Sequence, residues 1–297
     1  MKIHSYQNGN TYVELFDDGT KIRTTPDLVE SKLNFPESLD VKITNWCDAG
    51  CRYCHEKSDE NGQHCDMTVL LDVLKELPKG VEIAVGGGST LSHPELFTFL
   101  QVLKQRGNVA NVTVNQKHIS DPLLQTIIKQ DLVKGVGISY SSIAYTRAIT
   151  DILKLTDNVV FHLINGVNKP SDIDDLIKIN NGNKTKILLL GYKDYGRGSK
   201  YMLNNNRIEV IKKEWQWNIR QILDKNIVMS FDNLAIEQTK VKRFFPDKEW
   251  EKFYMGKEFT HSMYVDAVEQ KYAPTSTSDN RVDFKTKSLL AFFQDKG

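Results

Sequence analysis

Between Leu39 and Phe231 short apolar runs alternate with stretches of helical period, the pattern of repeated βα units around a parallel sheet. Asp40–Thr44 reads as the first strand and Thr68–Leu77 as its helix. Val81–Val85 is the second strand, followed by Gly86, Gly87 and Gly88 and a helix from Pro94 to about Arg106. Ala110–Asn115 and Val136–Tyr140 supply the third and fourth strands, separated by a helix around Asp121–Gln130. Val159–Ile164, Lys186–Leu190 and Ile227–Phe231 complete the set, with helices near Asp172–Ile179 and Ile208–Leu223. Seven strands imply an α/β fold, a partial parallel (β/α)6–7 TIM-like barrel. A chain of 297 residues that is 40% hydrophobic can bury one large core, so residues 39–235 are expected to form a single main domain.

Residues 1–38 read as a separate appendage. Alternation over Thr11–Phe16, a turn at Asp17-Asp18-Gly19-Thr20 and a return over Lys21–Thr24 make a β-hairpin, which either presents substrate or plugs the bottom of the barrel. Residues 236–297 read as a short α+β extension, in which Met263–Val268 is a strand covering the open side of the barrel and residues 275–278 form a polar turn. Lys and Arg number 39 against 38 Asp and Glu, a net charge of +1, so no global field predicts nucleic acid or an anionic membrane. The polar N-terminus and the lack of a long apolar run point to a soluble, cytoplasmic protein.

Chemistry enters at Cys47, Cys51 and Cys54, a C-x3-C-x2-C array. Three soft thiolates on one short loop can converge on one face of an iron–sulfur cube and leave its fourth iron open to a small molecule. A structural zinc site would need a second ligand pair, for which His55, His64 and Cys65 are the nearby candidates. A disulfide framework fits less well, because four cysteines in 297 residues is the usage of a reducing compartment. The fourth thiol, Cys65, reads as inert.

With Tyr53 in the aromatic position, the array resembles the hallmark of the radical S-adenosylmethionine (SAM) superfamily, C-x3-C-x-aromatic-C. The resemblance covers roughly residues 40 to 232. It implies that Cys47, Cys51 and Cys54 hold a 4Fe-4S cluster, whose fourth iron is chelated by the methionine amino and carboxylate groups of SAM. One electron from the cluster then cleaves SAM to methionine and a 5'-deoxyadenosyl radical, which abstracts a hydrogen atom from substrate. An electron donor such as flavodoxin or ferredoxin is implied as a partner. No cysteine follows Cys65, so one cluster only is expected.

Parallel barrels place their sites at the carboxyl ends of the strands, where the cysteine loop falls. Residues 86–95 resemble the family's glycine-rich motif at the SAM amino group, with Ser89 in place of the usual glutamate and Thr90 in place of the usual proline. Asn115 and Ser139, ending the third and fourth strands, resemble polar SAM contacts of the family. Leu163 and Ile164 suit a wall beside adenine, or ordinary core. The cofactor-binding set is therefore Tyr53, Gly86, Gly87, Gly88, Ser89, Asn115, Ser139 and Leu163. For the substrate the candidates are His55, Lys193 and Asp232. Lys193 lies in the segment 192–200, whose cations and aromatics suit an anion or a nucleobase but equally a solvated loop. Asp232-Asn233 is also a favoured turn pair. The substrate, whether peptide, nucleotide, nucleic-acid base or metabolite, is not legible. The rival reading is a non-enzymatic zinc or iron–sulfur module, with nucleic acid as a possible partner.

Overall fold

The computed structural model describes residues 1–26, 31–181 and 183–295. Residues 27–30 of the expected appendage and 296–297 of the expected extension lie outside the described residues.

Three antiparallel strands come first, β1 (Lys2–Asn8), β2 (Thr11–Phe16) and β3 (Lys21–Thr24), in that order across a small sheet. The expected hairpin is β2–β3. β1 is an addition to it, and it escapes the sequence because His4, Ser5 and Gln7 break its apolar alternation. This sheet lies against the amino-terminal ends of the barrel strands. Lys21 pairs with Glu82, the Lys186 ammonium donates to the Asp18 carbonyl at 2.8 Å, and Arg23 Nε donates to the fully buried Glu37 at 2.8 Å.

The main body then runs β4 (Ser38–Thr44), α1 (Met67–Val73), β5 (Glu82–Gly87), α2 (Leu96–Arg106), β6 (Val109–Asn115), α3 (Pro122–Lys129), β7 (Gly135–Ser139) and α4 (Thr146–Leu153). It continues with β8 (Val159–Ile164), α5 (Asp172–Ile179), β9 (Thr185–Leu190), α6 (Arg197–Leu203), α7 (Arg207–Leu223), β10 (Ile227–Phe231), α8 (Asn233–Thr239) and α9 (Asp247–Phe253). The chain closes with β11 (Ser262–Asp266), β12 (Lys271–Ala273), β13 (Val282–Asp283) and α10 (Leu289–Gln294).

β4 to β10 pair in parallel, each with the next, and form a mostly parallel sheet in a mixed α/β fold, consistent with a partial barrel. β11, overlapping the strand expected over 263–268, joins the free edge of β4 in parallel, and β12 and β13 follow antiparallel. The sheet order is thus β10-β9-β8-β7-β6-β5-β4-β11-β12-β13. Among the described residues no helix is long and apolar enough to cross a membrane.

Alternation along the strands explains the hollow centre. Leu39, Val41 and Ile43 of β4, Ile83 and Val85 of β5, Val112 and Val114 of β6, and Phe161 and Leu163 of β8 are buried in the main core cluster with the helices. The intervening residues, Asp40, Lys42, Ala84, Gly86, Thr113, Asn115, Ser139 and His162, line an interior cavity instead. A closed barrel fills its interior with layers of branched apolar side chains. Here several of those positions are small or polar, and a cavity of about 330 Å³ is left at the carboxyl ends of the strands.

Candidate active site

The cysteine loop leaves the carboxyl end of β4 and folds back on its own base. Asn45 N donates to Gln63 O, Cys47 N to Asp59 O and Cys65 N to Ile43 O, all at 2.8 to 2.9 Å. Between these ties, the side chains of Cys47, Cys51 and Cys54 all reach the cavity wall. Burial holds the Cys47 and Cys51 thiols above their ordinary value, reinforced by the neighbouring cysteines. Asn115 Nδ2 lies 3.4 Å from Cys51 Sγ, and its Oδ1 accepts from Lys117 N at 3.0 Å, so the amide is oriented by its own turn.

Beside the loop stands the glycine end of β5. Gly88 N donates to Thr44 O and Ser89 N to Trp46 O, each at 2.7 Å. A Cβ on Gly88 would lie 2.2 Å from Trp46 O, so that glycine is required for two backbones to meet. Gly86 differs, because a Cβ there meets nothing within 4 Å and would project into open space. Gly86, Gly87 and Gly88 all line the cavity, with Tyr53, Asn115 and Ser139.

Two expected contacts fall elsewhere. Ser89 is nearly buried, with Oγ 3.4 Å from His118 Nδ1, and is not among the cavity walls. Leu163 is fully buried in the core, and Ile164 takes the place on the wall, because adjacent strand residues point to opposite faces.

The substrate candidates separate in the same way. His55 and Lys193 line the cavity, with Lys193 Nζ 3.5 Å from His55 Nε2 and 2.8 Å from Ser276 Oγ. Burial, with the Lys193 and Lys42 ammoniums added, pushes the His55 imidazole down to about 3. Asp232 instead caps α8, its Oδ1 accepting from Gly191 N at 2.8 Å and Ala235 N at 2.7 Å, the turn role its Asp-Asn pair allows. The segment 192–200 is partly solvated, with Asp194, Tyr195 and Lys200 exposed, but Tyr192 and Gly198 are buried. Arg197 donates Nε to Cys51 O at 3.0 Å and Nη2 to Ser58 O at 2.8 Å, and its backbone N reaches Cys54 O at 3.0 Å.

Sequence reasoning missed several wall residues. Asp40 and Lys42 carried a signal, since charges at alternate positions of an otherwise apolar central strand must face something other than core. Asp40 opens onto the lumen and is otherwise enclosed by protein, and this desolvation raises its carboxyl while Lys193 works against it. His162 is driven down to about 4 by the same enclosure. Tyr264 and Ser276 come from the extension and had no signal.

The donor set decides what the loop can hold. A single zinc ion needs four donors converging at about 2.0–2.3 Å. Among the described residues no three His, Cys, Asp or Glu side chains converge in that way. A cube of irons is a different demand, because three thiolates ligate three separate irons and need only share one face. Three cysteines of one loop lining one cavity have the chemistry for that group.

No family model matches the chain, and no curated protein matches it. Among solved structures it is similar to SuiB from Streptococcus suis. The structure of SuiB bound to precursor peptide SuiA and that of SuiB bound to S-adenosylmethionine each give a TM-score of 0.63 at 12% identity, and a third crystal structure of SuiB gives 0.60 at 11%. The match covers 89% of this chain and 66% to 67% of SuiB, so the chain spans about two thirds of that protein's length. At this identity the likeness is one of fold: the chain shares the architecture of a protein that has been crystallised with S-adenosylmethionine.

Proposed function

We propose that this chain is a radical SAM enzyme. The observation that carries the reading is that all three motif cysteines and the glycine end of β5 line one cavity at the carboxyl ends of parallel strands. The fold it shares with SuiB, crystallised with S-adenosylmethionine, supports it.

In this reading Cys47, Cys51 and Cys54 hold a 4Fe-4S cluster and SAM lies along Gly86, Gly87, Asn115 and Ser139. When bound there, the cluster would supply the single electron for reductive cleavage of SAM. The chain's own residues bind, orient and exclude water. Gly86 lets the SAM backbone approach β5, Asn115 donates to the Cys51 sulfur, and Ile164 gives an apolar wall against which adenine can stack. His55 and Lys193 face the substrate. Residues 39–235 form the catalytic unit, β1, β2 and β3 close its amino-terminal end, and the extension contributes Tyr264 and Ser276. A peptide is the substrate class we favour, since SuiB has been crystallised with precursor peptide SuiA.

The test is anaerobic reconstitution with iron and sulfide, reduction, and assay of 5'-deoxyadenosine. Alanine at Cys47, Cys51 or Cys54 abolishes the product, whereas Cys65→Ala preserves it. Cys65 is nearly buried with Sγ 3.7 Å from His93 Nε2, and it does not line the cavity. Stoichiometric zinc with no SAM cleavage would overturn the assignment in favour of a zinc-binding module.

A further inference from the structure

The deep end of the cavity holds a carboxyl group that the fold does not use. Asp40 faces the lumen from β4, where its register partner on β5 is Ala84. The next inward-facing pair toward the carboxyl end is Lys42 and Gly86, so Asp40 sits about 7 Å below the level at which SAM is proposed to lie. Among the described residues no protein group donates to the Asp40 carboxyl, and Lys193 acts on it only from beyond ion-pairing distance. Desolvation opposes its charge, and Asp232 adds to the penalty. Such a group weakens the fold that carries it, and proteins break that rule at functional sites.

The cations of the lumen are already engaged. Lys42 lies against Glu56 and Asp266, Arg197 against the carbonyls of Cys51 and Ser58, and Lys193 against Ser276 Oγ. Acids collect around Lys193, whose ammonium acts on Asp40, Asp232 and Glu258 alike. Desolvation raises the Glu258 carboxyl, and repulsion from Asp232 and Glu237 raises it further. Glu237 and Glu258 are exposed and join no ion pair among the described residues. One ammonium cannot balance these carboxyl groups, so the potential on this side of the lumen is negative.

The surroundings of Asp40 select among ligands. A metal ion needs several donors converging with the carboxylate, and among the described residues no such group exists. An anion is repelled. A neutral donor makes a hydrogen bond but leaves the charge unbalanced in a desolvated place. An organic cation balances the charge and donates to it at once, a stronger contact than a neutral hydrogen bond. Depth narrows the choice further, because the charge must pass the level of Lys42 and Gly86 to reach Asp40. An ammonium at the tip of a slender alkyl stem meets both demands.

We propose that Asp40 is a specificity-determining residue, the floor of a subsite for an alkylammonium group of the substrate, and that the acids around Lys193 draw this cation in. The inference deepens the proposed function and rests on it. A lysine side chain of a peptide and a free alkylamine carry the same chemistry.

The experiment titrates the full chain, loaded with cluster and SAM, by calorimetry. The probes are N-acetyl-lysine N-methylamide and its uncharged counterpart N-acetyl-norleucine N-methylamide. The parent is expected to bind the charged probe about tenfold or more tightly than the neutral one. Asp40→Asn keeps the shape and hydrogen-bonding capacity without the charge, and it erases the difference. Its urea midpoint stays at or above the parent value, since a desolvated charge has been removed. Equal affinity of the parent for the two probes, or binding of neither, overturns the proposal. So does an Asp40→Asn protein that keeps the preference, which would make the contact a neutral hydrogen bond, or one that loses stability, which would give the carboxyl group to the fold. Butylamine then separates the sources, both of which keep the site: affinity equal to the lysine probe's assigns a free amine, and affinity about tenfold weaker assigns a peptide side chain. A reduced parent that forms no 5'-deoxyadenosine refutes the proposed function instead, and the preference for the charged probe still reads the subsite.

Discussion

Lys42 and Asp266 are register partners on the parallel strands β4 and β11, and the Lys42 ammonium lies 2.7 Å from Asp266 Oδ2. Both side chains are nearly buried, at 5% and 1% exposure. The same ammonium reaches Glu56 Oε2 at 3.0 Å, and Tyr264 donates to Glu56 Oε1 at 2.8 Å. Glu56 lies two residues beyond Cys54. A strand from the end of the chain is thereby fastened to both the base and the tail of the cysteine loop.

Removing the cation from this network should be costly. Lys42→Met leaves Asp266 buried with Arg281, 3.1 Å from its Oδ2, and the Glu269 N–H, 3.1 Å from its Oδ1, to face it. Because those partners remain, the loss is expected near the lower end of about 3–5 kcal/mol. Urea unfolding measures it, and Lys42→Met combined with Asp266→Asn should recover part of the loss. Strict additivity of the two substitutions would show that the pair is not coupled.

The network also sets an alkaline limit. Burial alone would lower the Lys42 pKa, but Glu56 and Asp266 outweigh it and raise the value above the ordinary 10.5. A raised cation contributes its full stability below the unfolded value and loses it as pH climbs through the folded one. The parent should therefore lose stability above pH 10.5 in excess of the Lys42→Met protein. Parallel stability curves for the two proteins in that range would refute the assignment.

Gly86 in β5 and Gly88 just beyond it have separate jobs, which single alanines resolve. Gly88→Ala puts a methyl against the Trp46 carbonyl, a backbone atom that cannot rotate away, and should cost about 3 kcal/mol. Gly86→Ala meets nothing and should leave stability unchanged or better by up to about 1 kcal/mol. Its methyl enters the cavity, so SAM affinity measured by calorimetry should fall about tenfold. Tight SAM binding by the Gly86→Ala protein would move the SAM site off this wall.

What the sequence disclosed followed from local period. β8, β10 and α5 fall at their expected bounds, because each is an apolar run or an amphipathic stretch closed by turn residues. α4 was missed, since Thr146, Ile149, Thr150 and Ile152 give β-branched side chains to a helix that packing stabilises through buried Ile149 and Ile152. The edge that β11 would join was not legible, because a lone apolar strand carries no information about its partner. The site divides likewise. Cys47, Cys51 and Cys54 announced themselves by spacing, whereas Ser276 meets His55 across 221 residues of sequence and Tyr264 meets Glu56 across 208. Leu163 and Ile164 were one parity decision apart, and β8 itself held the answer in the alternation of Phe161 and Leu163 with His162.

Arg197 offers the sharpest test of how the cysteine loop is held. Its two guanidinium contacts run to separate carbonyls, Cys51 O and Ser58 O, at opposite ends of the segment that carries Cys54. Gly196 prepares this approach: it sits at φ +61°, and a Cβ there would lie 2.4 Å from His55 O. Arg197→Ala gives up two charge-assisted hydrogen bonds, each worth about 1.5–3 kcal/mol. The loss is expected to be local, seen as faster amide hydrogen exchange over residues 51–58 with β5 and β6 unchanged. Lysine is a poor substitute because one ammonium on a flexible stem cannot span both carbonyls, so Arg197→Lys should exchange nearly as fast as the alanine protein. Full protection in Arg197→Lys would mean that positive charge alone, not the guanidinium fork, fixes the loop.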